Sequence, residues 1–118
     1  MFLLLNLQDR WKYAPKPHHL LVSGDIVLSQ PRRAVFVNDT QLSLTKKEFD
    51  ILQMLMSESG NAVTHTKLLK KIWGIEYGEA DVNVLWRTVD RLRGKLLKEA
   101  PKKRYIQAVR GVGYAFMP

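Results

Sequence analysis

Apolar residues in the stretch 81–99, DVNVLWRTVDRLRGKLLKE, fall at Val82, Leu85, Val89, Leu92 and Leu96. They are spaced by three, four, three and four positions, the recurrence that a helix of 3.6 residues per turn brings onto one side. At about 100° per residue all five lie within roughly 80° of arc. The stretch therefore predicts a helix over 81–99 with one face turned to a core. Arg87, Arg91, Gly94 and Lys98 fall on the opposite side of the wheel, with Asn83, Val84 and Lys95 beside them. A helix buried along one side and cationic along the other suits the groove of a polyanion.

Upstream the pattern is different. From Leu20 to Leu44 short β-like runs alternate with turn signals. Residues 25–29 (DIVLS) precede a break at Gln30-Pro31-Arg32, residues 34–37 (AVFV) follow, and Asn38-Asp39 forms a tight turn before Gln41–Leu44. These runs predict a three-stranded antiparallel meander, with room for an extra strand near Leu20–Val22. At Thr45 the period becomes helical. Thr45-Lys46-Lys47-Glu48 has the form of a capping box, and Phe49, Leu52 and Leu55/Met56 supply a buried stripe ending near Ser57, with Gly60 as the stop. Thr64 caps a second helix built on Leu68, Leu69, Ile72 and Trp73, and Gly74 ends it. After the long helix, closed by Pro101, the runs at Tyr105–Val109 and Tyr114–Met117 flank Arg110-Gly111-Val112-Gly113 and predict a hairpin with an arginine at its tip. A small antiparallel sheet, three helices and a C-terminal hairpin make an α+β fold in the order of a winged helix-turn-helix domain.

Length and charge sharpen this picture. At 118 residues the chain holds one domain, read as residues 20–118, with 1–19 as a lead-in or linker. The lead-in has an apolar start, then Trp11, Tyr13 and the extended APKPHH segment, and it packs either on the domain or on a partner. His18 and His19 read as solvated loop residues rather than metal ligands, because no acidic or third-histidine cluster accompanies them. With no cysteine, disulfides, thiol catalysis and cysteine-ligated metals are excluded, which fits a cytoplasmic protein. No stretch approaches the ~18 apolar residues of a membrane span. The net charge is +8, and residues 81–118 carry nine Lys/Arg against three acids, so three-quarters of the excess lies in the last third. Charge gathered in this way reads as a surface for an anionic partner.

A helix of that kind fits a major groove about 12 Å wide. A flanking hairpin would reach the next groove, where Arg110 suits a narrow, negative minor groove and Gly111 and Gly113 allow close approach to phosphate. Four motifs add a resemblance: Leu44-Thr45-x-x-Glu48-Phe49, Ile72-Trp73-Gly74, Arg91-Leu92-Arg93-x-Lys95-Leu96 and Val109-Arg110-Gly111-Val112-Gly113-Tyr114. In order and spacing the chain resembles the effector domains of OmpR/PhoB-type response regulators, from about Leu20 to the C-terminus. The resemblance implies double-stranded DNA as partner, a head-to-tail dimer on tandem half-sites, and control by phosphorylation of an N-terminal receiver domain by a sensor kinase. It makes Arg91 a base or phosphate contact of the third helix, Arg110 the minor-groove arginine of the wing, and Tyr114 a tyrosine beside the DNA backbone. The loop 74–81, with Glu76, Tyr77 and Glu79, matches the segment through which activators of the family touch RNA polymerase. Departures lie on the reading face. Asn83, Val84, Leu85 and Trp86 stand where the family has Arg-Thr-Val-Asp, Arg87 replaces an apolar base contact, Thr88 replaces a histidine, and Ala108 replaces a threonine of the wing.

The DNA-contacting candidates are thus Asn83, Val84, Arg87, Thr88, Arg91, Lys95 and Lys98 on the helix, with Arg110 and Tyr114 on the wing. Three residues read as structural instead. Arg93 lies near the core edge of the wheel and predicts an ion pair with Glu48; Trp73 belongs to the core. Trp86, on a flank, predicts packing between helices, and Lys102-Lys103-Arg104 is either a solvated loop or a phosphate contact. No Ser/His/Asp set, metal cluster or Gly-rich phosphate loop appears, so the sequence predicts no enzyme, no cofactor and no metal. The chain reads as the output domain of a two-component regulator or as a stand-alone regulator. A winged-helix protein-interaction module is the alternative from another class, supported by the charge-poor Asn83–Trp86.

Overall fold

The computed structural model describes residues 20–74 and 82–118. Four strands come first: β1 (Leu20–Ser23), β2 (Ile26–Ser29), β3 (Ala34–Val37) and β4 (Thr40–Leu42), antiparallel in the order β1-β2-β3-β4. The extra strand joins the meander, which makes four strands. Asn38 and Asp39 both take positive φ, 50° and 68°, the backbone that a two-residue hairpin between right-twisted strands demands and that Asn and Asp tolerate. Val37 pairs with Thr40 directly across it. Ile26 and Leu28 on β2 and Val35 and Val37 on β3 send their side chains into the core.

Helix α1 (Lys46–Ser57) starts at the expected cap. The Thr45 hydroxyl accepts from the Glu48 N–H at 3.2 Å, and the Glu48 carboxylate accepts from the Thr45 N–H at 2.9 Å, so two orphan donors of the first turn are satisfied together. Its apolar stripe, Phe49, Leu52, Leu55 and Met56, joins the core with Ile51. Helix α2 (His65–Trp73) is capped by Thr64 and ends at Gly74, whose φ of 81° lets its N–H return to the carbonyls of Leu69 and Lys70. Helix α3 (Val82–Glu99) has 18 residues and buries Leu85, Val89, Leu92 and Leu96, with Val82 half-buried at its start. α3 packs across α1 and α2, so its opposite face is held outward.

Beyond α3 come β6 (Ile106–Val109) and β7 (Gly113–Phe116), the predicted hairpin. A short strand, β5 (Ala62–Thr64), pairs with β7 and turns the wing into a three-stranded sheet in the order β5-β7-β6. The pattern along the chain gave no sign of β5, because three residues are too few for an alternation to register. It anchors the wing. Val63 pairs with Tyr114 and Thr64 with Gly113, while the His65 N–H at the start of α2 bonds the Val112 carbonyl at 3.0 Å. Tyr105 and Phe116 stack with ring centroids 5.5 Å apart and close the sheet onto the core.

Candidate nucleic-acid interface

The outward face of α3 carries Asn83, Val84, Arg87, Arg91 and Lys98, all exposed. These positions oppose the stripe Leu85–Leu96, so burying that stripe is what aims them away from the protein. Two predicted contacts do not belong to this face. Thr88 is 3% exposed and its hydroxyl donates to the Val84 carbonyl at 2.9 Å, the back-bond a threonine makes within a helix. Lys95 is half-buried and its ammonium donates at 2.6 Å to Glu48 Oε1 and at 2.8 Å to the Ser43 carbonyl, so it is turned along the protein surface toward α1. Trp86 departs in the other direction. It is 51% exposed, not packed between helices.

Glu48 is the hub beneath this face. It is 0% exposed, reached by Thr45 N–H and Lys95 on one oxygen and lying 3.6 Å from Arg91 Nε on the other. Burial pushes its carboxyl up, but the Lys95 and Thr45 hydrogen bonds and the charges of Lys95 and Arg91 outweigh it and hold it below the ordinary range. The ion pair predicted between Arg93 and Glu48 is therefore replaced: Lys95 and Arg91 take that carboxylate. Arg93, two residues from each along the helix, points to the wing side instead, where its guanidinium stands 5.9 Å from the centre of the Tyr114 ring. A second acidic node lies on the α1 surface. Burial raises the Asp50 carboxyl, while hydrogen bonds from Arg33 at 2.7 Å and Lys46 at 3.1 Å, with their charges, bring it below its usual value.

Arg110 stands exposed in the turn of the wing, which Gly111 closes at φ 76° with a Val112 N–H to Val109 carbonyl bond of 2.9 Å. Gly113 has a different reason for being glycine than an approach to phosphate. A Cβ there would overlap the Val63 carbonyl oxygen, so β5 occupies the space. Tyr114 is also not presented as a backbone contact. It is 4% exposed, meets His65 edge-on at 5.6 Å, and burial raises its phenol above the ordinary value. Trp73 packs half-buried against the core with Lys47 Nζ 5.1 Å above its ring. Lys102, Lys103 and Arg104 are exposed. Glu76, Tyr77 and Glu79 lie outside the described residues, as do His18 and His19. Among the described residues no three His, Asp or Glu side chains are grouped as a metal site, and no helix is long and apolar enough to cross a membrane.

Comparison with known proteins gives a consistent result. The family described as "Transcriptional regulatory protein, C terminal" matches residues 39–116. The sensory transduction protein RegX3 of Mycobacterium leprae (strain TN) is 36% identical over 95 residues, which cover 80% of this chain and 48% of that protein. Among solved structures, the response regulator DrrB, a Thermotoga maritima OmpR/PhoB homolog, is 31% identical with a TM-score of 0.73, over 85% of this chain and 45% of that one. The Klebsiella pneumoniae RstA DNA-binding domain, solved in complex with RstA box, is 29% identical with a TM-score of 0.76, over 86% and 99%. This chain spans less than half the length of the curated relatives it matches.

Proposed function

The chain belongs to the family of transcriptional regulatory protein C-terminal domains, the DNA-binding output domains of OmpR/PhoB-type response regulators, and from there we propose that it reads double-stranded DNA with α3 in the major groove and the wing at the adjacent minor groove. One observation carries this reading: Arg87, Arg91 and Lys98 form an exposed cationic line directly opposite the buried stripe of α3. At 1.5 Å per residue that helix is about 27 Å long, enough to cross the groove and meet a phosphate at either rim. Arg87 and Arg91 read base edges, Asn83 and Val84 contact the groove at the start of the helix, and Lys98 meets phosphate at its end. Arg110 enters the minor groove. The RstA domain's structure with RstA box supports the placement, because the two domains share the fold along nearly their whole length.

For assembly and control the family relationship supports a further part of the proposal. Two copies sit head to tail on tandem half-sites, the segment with Glu76, Tyr77 and Glu79 touches RNA polymerase, and in the whole protein a receiver domain answers to a sensor kinase. Residues 20–118 are the DNA-binding domain and 1–19 lead into it. The domain works in the cytoplasm and binds without catalysing a reaction. A second reading, a protein-interaction module, draws on the exposed Val84 and Trp86 of α3.

Selection of bound sites from a random duplex pool, followed by gel shift, tests the proposal. Enrichment of two half-sites repeated in the same orientation is expected. A pool that stays random, with no shift of duplex, would leave the interaction module standing.

A further inference from the structure

Glu48 uses its two oxygens unequally. Oε1 accepts from the Thr45 N–H at 2.9 Å and from Lys95 Nζ at 2.6 Å. Oε2 is buried, accepts no hydrogen bond among the described residues, and lies 3.6 Å from Arg91 Nε. A buried acceptor without a donor is unfavourable. Here the cation beside it belongs to the face of α3 that turns outward.

We propose that Glu48 is a positioning residue for Arg91: Oε2 holds the Nε edge of the guanidinium so that the terminal Nη1/Nη2 edge is aimed into the major groove. This rests on α3 being the DNA-reading helix. The geometry of arginine makes the division of labour workable. Its five N–H donors lie in one plane, and the Nε–H points sideways from the stem while the two amino groups point forward. A bidentate contact to guanine O6 and N7 takes two parallel forward donors and leaves the sideways one free for a second acceptor.

The acceptor is fixed before DNA arrives. Thr45 and Lys95 clamp Oε1 from two different elements, and Lys95 is itself anchored on the Ser43 carbonyl at 2.8 Å. Arg91 is 60% exposed along its side chain, so without a support it would lose much rotamer freedom on binding. Leaning on a rigid carboxylate removes part of that loss in advance. Charge is not sacrificed, because one carboxylate between two cations leaves a net positive group at the face.

Glu48→Gln is the direct test. The amide oxygen still accepts from Thr45 and Lys95, but its NH2 takes the place of Oε2 and faces the Nε–H donor to donor. Binding is measured by anisotropy on a duplex recovered by selection and on copies with each base pair substituted, using protein shown to be folded by circular dichroism. The base pair under Arg91 is the one whose identity ceases to matter in Arg91→Ala. Glu48→Gln is expected to lower the preference at that pair on the order of tenfold, to spare preferences elsewhere, and to add nothing in the Arg91→Ala background. A loss equal on every sequence, or a full additional loss in that background, would overturn positioning. Should Glu48→Gln not fold, Arg91→Lys decides. It keeps the charge without the two-edged fork, so retention of the wild-type preference would overturn the proposal. If Arg91→Ala changes no preference, the reading of Arg91 falls and positioning with it. If Arg91→Ala does and Glu48→Gln does not, positioning alone falls.

Discussion

Gly113 lies against Val63 with no room for a side chain, since a Cβ would overlap the Val63 carbonyl oxygen and crowd Thr64 Cα. The contact is where β7 passes between β5 and β6, and it ties the wing to the residues that cap α2. Gly113→Ala is therefore expected to push the strands apart and cost about 1–3 kcal/mol, as overpacking does. Thermal unfolding with amide exchange at Val63 and Thr64 checks it. An unchanged melting temperature with full protection would mean that β5 does not hold the wing.

Side chains on the two faces of α3 give a sharp contrast. Arg91→Ala and Arg87→Ala should each weaken specific binding by about 1–3 kcal/mol, the worth of a good base contact. Thr88→Val should leave the sequence preference unchanged, because its hydroxyl serves the Val84 carbonyl, and lower stability by about 0.5–1.5 kcal/mol. Binding curves on cognate and substituted duplexes separate the two. A Thr88→Val protein with altered preference would place that hydroxyl on DNA after all.

For the wing, Arg110→Ala is expected to weaken binding mainly where the flanking sequence is A·T-rich and the minor groove narrow. Paired titrations on A·T- and G·C-flanked versions of one site measure the difference. Equal losses on both would argue for a plain phosphate contact at the turn.

Acid should loosen the fold through Glu48 and Asp50. Both carboxyls are held below their ordinary values in the folded chain, where burial is outweighed by Lys95 and Arg91 around the first and by Arg33 and Lys46 around the second. A depressed folded pKa means the unfolded chain takes up protons first as pH falls. The stabilisation is thus full above the ordinary carboxylate range and is lost as pH drops through the folded values. Urea unfolding from neutral pH downward should show stability falling below about pH 4.5. Glu48→Gln should begin lower and fall less steeply; an equally steep acid limb would mean that Glu48 contributes nothing to the acid sensitivity.

How much of this was legible in the sequence depends on the range of the interaction. The α3 stripe, the Thr45–Glu48 capping box, the Asn38-Asp39 turn and the Gly74 stop are local patterns, and each has its expected place in the fold. Strand β5 is fixed by pairing with β7, some fifty residues away, and three residues carry no periodicity of their own. The partner of Glu48 is not legible in the sequence for a related reason. A helical wheel gives the direction of Arg93 but not which neighbouring element lies there, and α1 lies on the Lys95 side while the wing lies on the Arg93 side. The family resemblance puts Thr88 and Tyr114 at DNA-facing positions, and the folded chain uses both side chains inward. One spends its hydroxyl within its own helix, and the other buries its ring beside His65. Arg87, Arg91 and Arg110 needed no such long-range information, because exposure opposite a core stripe or at a turn follows from local geometry.

The salt dependence of duplex binding shows whether the cationic face of α3 and the wing lie on DNA. If α3 and the wing neutralise about five phosphates, log K should fall linearly with log salt concentration at a slope of about −4 to −5. The titration uses a site recovered by selection, at several salt concentrations and fixed pH. A slope in that range, steeper than that of Lys98→Ala by about one unit, is the result expected for this interface. A flat response would contradict it and remove nucleic acid as the partner of the cationic face.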